Sequence, residues 1–162
     1  MARSAALPFT VRRSRDVIAG ASVTTLTEIV YGLLRVTDTT LVVQWQLARQ
    51  TDHVGLEIRS DEQIDAVREV AIPLEAVAGG AVRRRWWRLL HGPEIVLTAA
   101  DLGAFEAITG DGGLRSAHPA ELVLQLRRGD RLAAEEFSAE LALARAELAP
   151  PAGLDELPGP EP

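Results

Sequence analysis

The chain has 162 residues, 47% hydrophobic and 25% charged, a balance that supports one folded domain with a real core and argues against wholesale disorder. It contains no cysteine, and all 17 basic residues are arginine. Disulfides, thiolate metal sites, iron–sulfur clusters, cysteine nucleophiles and lysine-bearing phosphate loops are therefore excluded.

The net charge of −6 is uneven: residues 1–88 hold 12 arginines against 10 acids, residues 89–162 hold 5 against 13. Nucleic acid is not an expected partner for such a chain. The exclusive use of arginine, with abundant alanine, glycine, leucine and valine, reads as the coding bias of a GC-rich bacterial genome. Residues 1–13 hold no apolar stretch of signal-peptide type, and residues 1–7 are expected to be flexible. No later run approaches the roughly 20 apolar residues of a membrane span, so the expected compartment is the cytoplasm.

In chain order, Phe9-Thr10-Val11 is a weak first strand, followed by the basic cluster Arg12, Arg13 and Arg15. Glu28–Val36 and Leu41–Leu47 are predicted strands, joined by a hairpin turn at Thr37-Asp38-Thr39-Thr40. In the second of them Leu41, Val43, Trp45 and Leu47 share one face, with Gln44 and Gln46 on the other. Gly32 marks a bulge or a close backbone approach. Residues 49–66 are polar, contain Asp61-Glu62, and read as a long loop with a short helical turn.

Arg68–Ile72 alternates and ends at Pro73, which cannot donate to a ladder and so marks an edge or a strand terminus. Gly79-Gly80 reads as a turn before a strand at Ala81–Trp87, and Gly92-Pro93 precedes another at Glu94–Thr98. Residues 101–109 fit a short helix with Asp101 as N-cap, Leu102, Phe105 and Ile108 at three-residue spacing, and Gly110 as its stop. A last strand, Glu121–Arg127, places three leucines on one face.

Asp130 then caps a helix over 130–148, in which Ala133, Phe137, Leu141, Ala144 and Leu148 form an apolar stripe opposite Arg131, Glu135, Ser138 and Arg145. Residues 149–162 hold five prolines, two glycines and three acids and read as a disordered tail. The fold class is mainly β (α+β): a seven-stranded antiparallel orthogonal sandwich or partly open barrel over residues 8–148, capped by one C-terminal helix.

This layout resembles that of pleckstrin-homology-like (PH-like) domains. The stretches Val70-Ala71-Ile72-Pro73-Leu74, Arg83-Arg84-Arg85-Trp86-Trp87 and Ile95-Val96-Leu97 are similar to a pattern of small bacterial proteins of that type. The resemblance implies a scaffold without cofactor that binds proteins, peptides or lipid headgroups, the helix plugging one open corner of the sandwich. Phe137 is the one aromatic residue of the helix, which lacks the tryptophan usual in eukaryotic members.

The sharpest local feature is Arg83-Arg84-Arg85-Trp86-Trp87-Arg88. On a strand, Arg83, Arg85 and Trp87 share one face and Arg84 and Trp86 the other, so a guanidinium beside an exposed indole suits an anionic headgroup or an acidic loop of a partner. The alternative is two packed tryptophans behind a solvated face of arginines. Arg12, Arg13 and Arg15 occupy a position where PH-like folds bind phosphate; the alternative is a mobile N-terminal arm.

Catalytic readings find no support. His53, His91 and His118 are isolated beside turn signals, no Gly-x-Ser-x-Gly elbow exists, and Gly110-x-Gly112-Gly113 follows no nucleotide-binding spacing. The expected function is a non-catalytic binding or scaffolding module for a protein or peptide. Anionic membrane lipid, held through the Arg/Trp cluster, and a small apolar ligand in a barrel interior are the alternatives.

Overall fold

Alternation of side chains with a period of two runs much further along this chain than its apolar residues alone reveal. The computed structural model describes residues 5–55, 57–83, 92–110, 114 and 116–148. Strands β1 (Ala6–Ala19), β2 (Ser22–Val36) and β3 (Thr40–Val54) form an antiparallel meander. Strands β4 (Ile58–Ile64) and β5 (Arg68–Pro73) both pair with β3, one after the other along its far side. A second antiparallel sheet holds β6 (Val77–Arg83), β7 (Glu94–Ala99) and β8 (Glu121–Gln125). The helices are α1 (Glu106–Thr109) and α2 (Arg131–Leu148). The protein is thus mainly β, with two open sheets and one long C-terminal helix, and no helix among the described residues is long and apolar enough to cross a membrane.

The described residues hold eight strands rather than seven, because the stretch expected to be a loop, 49–66, is the distal end of β3, a turn, and β4. All seven residues of β4 are exposed, and a strand wetted on both faces carries no apolar alternation. The first strand is likewise longer than Phe9–Val11. It starts at Ala6, so that Leu7 is fully buried, and Arg12, Arg13 and Arg15 sit in a regular ladder with β2 rather than in a loop or a mobile arm. Its hairpin to β2 turns at Gly20, whose φ of +62° lies in the left-handed region that glycine adopts without a steric cost.

Leu41, Val43, Trp45 and Leu47 are all buried on one face, and the Thr37–Thr40 turn closes with hydrogen bonds from Thr37 N–H and Thr37 Oγ1 to Thr40 O. Gly32 is a close approach and not a bulge: the ladder passes through it without a shift, and the Phe9 ring lies over it from the neighbouring strand. Pro73 ends β5 at the sheet edge.

Gly79-Gly80 is not a turn. Both residues lie within β6, where the absence of side chains lets α2 descend onto the strand; a Cβ on Gly80 would stand 3.0 Å from Leu141 Cδ2. The helix is rotated from the expected stripe. Ala134, Phe137 and Leu141 are buried, Ala133 and Leu148 are exposed, and Ser138 and Arg145 donate to the carbonyls of Gly80 and Ala78 instead of facing solvent. Residues 101–109 form a turn and then α1. Asp101 Oδ1 accepts from Gly103 N–H at 3.1 Å, Phe105 and Ile108 are buried, and Leu102 is exposed. The tail 149–162 lies outside the described residues.

Candidate functional site

The register of the first sheet fixes which side chains share a face. Val11, Val30 and Leu47 form one cross-strand row at the upper limit of the core, with Val30 and Leu47 buried and Val11 packed against them. Beyond it the same face turns polar within a single step. The next row is Arg13, Glu28, Arg49 and Gln63, and the one after it Arg15, Leu26, Thr51 and Asp61. From here the sheet extends as an arm, with Ser14 to Ala19 of β1 exposed along its rim.

Arg13, Arg15, Leu26, Glu28, Arg49 and Thr51 line a groove of about 490 Å³ on this face. Arg49 is held on both sides. Its Nη1 donates to both carboxylate oxygens of Asp65, at 3.0 and 3.1 Å, and its Nε lies 3.7 Å from Glu28 Oε1. Asp65 is in turn fixed between β4 and β5, its N–H donating to Leu47 O and its carbonyl accepting from the Gln46 amide. Arg13 stands opposite Glu28 across the ladder. Arg15 is exposed at the rim with no ion pair among the described residues. The groove therefore combines three guanidinium groups, the Glu28 carboxylate and an apolar floor at Leu26. That set can hold one or two carboxylates of a ligand by charge-assisted hydrogen bonds.

The sequence cluster Arg12, Arg13 and Arg15 is divided by the pleat. Arg13 and Arg15 enter the groove, and Arg12 projects from the opposite face beside Ile29. Arg83 ends β6, on a different sheet, with Nη2 3.6 Å from Glu94 Oε2, and Glu94 is itself buried. Arg84, Arg85, Trp86, Trp87 and Arg88 lie outside the described residues. Glu28, Arg49, Leu26 and Thr51 escape sequence inspection because their proximity is set by the register of three strands; the one hint is the alternation Glu28, Val30 on β2 against Leu47, Arg49 on β3.

The histidines make local bonds: His53 Nδ1 lies 2.9 Å from Thr24 Oγ1, and His118 Nδ1 accepts from Ala120 N–H at 3.1 Å. His91 is outside the described residues, among which no three His, Asp or Glu side chains converge on a point.

On the reverse face of the arm, Ser60 Oγ donates to Asp52 Oδ1 at 2.6 Å and the Gln50 amide to both oxygens, at 3.1 and 3.2 Å. The Ser60 bond foremost, then the Gln50 bonds and the nearby His53, hold the Asp52 carboxyl below its ordinary range. A depressed carboxyl stabilises the arm above the unfolded-state value and loses that contribution as pH falls through the folded value. The β3–β4 hairpin is accordingly expected to loosen only in acid below the ordinary carboxylate range. Carboxyl-detected NMR should show Asp52 titrating below the ordinary carboxylate range, and Ser60→Ala should move it upward.

No family model matches the chain, and neither does any curated protein or solved structure.

Proposed function

We propose that the chain is a non-catalytic, cytoplasmic binding module of PH-like layout that takes an extended acidic segment of a partner protein into the groove over β1, β2 and β3. Support for the layout comes from the tracks of the two sheets. β4 and β5 share one side of β3, so the first sheet has four tracks, the second has three, and α2 closes the core beside β6.

The observation that carries the reading is the abrupt change on one sheet face from Val11, Val30, Leu47 to Arg13, Glu28, Arg49, with Arg15 and Leu26 above. Glu28 at the centre favours a peptide over an inositol phosphate or another polyanion. It repels dense negative charge, while a carboxylate can dock on Arg15 and neighbouring peptide N–H groups can donate to Glu28. Leu26 gives an apolar side chain of the same segment a place to rest.

Anisotropy titration of a labelled peptide alternating Glu and Leu tests this. Arg15→Glu and Arg49→Glu should each weaken binding about tenfold, the scale of one charge-assisted hydrogen bond, and Arg12→Glu should leave it nearly unchanged. Equal weakening by all three variants would reduce the effect to net charge. Pelleting with anionic vesicles at low salt, in place of peptide binding, would favour the lipid alternative.

A further inference from the structure

The distal end of the arm carries a feature that the groove does not use. On the reverse face Ile18, Val23, Val54 and Ile58 form one row, each the register partner of the next across all four strands. The row ends at both open edges of the sheet, where Ile18 is 75% and Ile58 85% exposed. Among the described residues, β1 pairs with β2 alone and β4 with β3 alone, so each edge presents a free line of backbone N–H and C=O groups. β1 and β4 run in opposite directions, because three antiparallel pairings separate them. A second copy set beside the first in the same orientation therefore offers β1 to β4 in the antiparallel sense.

We propose that β4 of one copy pairs with β1 of the next, continuing the sheet from molecule to molecule, with Ile58 opposite Ile18 of its neighbour. Joining the two apolar ends fixes every other contact. Asp61 stands opposite Arg15, Ser60 opposite Asp16, Glu62 opposite Ser14, Gln63 opposite Arg13, and Ile64 opposite the aliphatic stem of Arg12. No like charges are directly opposed. The partner that this register gives Arg15 is one that the described residues of its own chain do not supply.

The strands also differ in sign: β1 carries three arginines and one acid over residues 12–18, and β4 one arginine and two acids. Two-fold pairing at full overlap is disfavoured. Full overlap of β4 with itself sets Asp61 against Asp61, and overlap of residues 12–18 of β1 sets Arg15 against Arg15, each a destabilising cross-strand pair. The contact is thus heterologous, and it grows into a ring or an open chain rather than closing at a dimer. It rests on the sheet edges and not on the groove reading, and its test contains no peptide.

Sedimentation velocity of the full chain over a wide concentration range should show a mass that rises past the dimer. Asp61→Arg and Arg15→Asp should each raise the concentration for half-association about tenfold or more, by exchanging an attractive cross-strand pair for a repulsive one. An equimolar mixture of the two variants should associate again, since every new contact in it joins Arg to Asp. That recovery also separates a lost contact from a misfolded variant. A monomer at all concentrations, a mass that stops at the dimer, or a mixture that fails to recover would overturn the proposal. So would an arm that binds neutral phosphatidylcholine vesicles through Ile18 and Ile58 without self-association.

Discussion

Gly32→Ala is expected to cost about 3 kcal/mol of stability, an unusually large effect for adding one methyl group to a strand. The methyl carbon would stand 2.0 Å from Phe9 Cζ, with both Cε atoms within 2.6 Å, so the two cannot coexist. Phe9 is the register partner of Gly32 and is buried, and its ring cannot swing aside without leaving the core. The cross-strand pairing of an aromatic ring with a glycine also pins the register of β1, because a slip of one residue would turn Leu7 and Phe9 to the solvent face. Urea denaturation measures the loss. Adding Phe9→Leu to Gly32→Ala should recover part of it, as expected for residues in direct contact. A Gly32→Ala protein as stable as its parent would mean that the ring does not lie over this glycine.

The second large effect is expected at Phe137→Ala, about 3–5 kcal/mol, equivalent to a fall in Tm of roughly 10 °C for a chain of this size. Phe137 is fully buried between Ala134 and Leu141, on the helix face that meets β6. An 18-residue helix with this composition is marginal in isolation, so its folding depends on that contact. Losing the ring removes transfer energy and leaves a cavity in the core under α2. Thermal unfolding followed by circular dichroism should show the helical and strand signals falling together at the lower temperature. Loss of the helical signal alone, with the sheets unaffected, would mean that α2 is an appendage and not part of the core.

What the sequence made legible follows from where side chains are buried. Leu41 to Leu47, Ile95 to Leu97 and Leu122 to Leu126 sit against the core on one face, so burial writes the period of two directly into composition. The distal parts of β1 and β3, and all of β4, are held by backbone hydrogen bonds with water on both faces. Arg12, Arg13 and Arg15 accordingly read as an arm and residues 49–66 as a loop. Glycine was ambiguous for a similar reason: Gly79-Gly80 serves the approach of a helix from far along the chain, and no local signal separates that from a turn. The helix was recognisable from its spacing, but not its rotation, because Ser138 and Arg145 are polar residues that face β6 to reach its carbonyls. The candidate site was half legible. Arg13 and Arg15 stand out as a basic run, whereas Glu28 and Arg49 join them only through the registers of β1 with β2 and β2 with β3.

The polar rows above Val11, Val30 and Leu47 are proposed to form a binding surface for an acidic peptide segment. This is tested most directly by titrating the uniformly labelled protein with the Glu/Leu peptide and following backbone amide and arginine side-chain resonances. Saturable shifts are expected at Arg13, Arg15, Leu26, Glu28, Arg49 and Thr51 and their immediate neighbours, with Arg12 and the outer face of the second sheet unmoved. Shifts that centre elsewhere, or that spread evenly over all arginines without saturating, would contradict it.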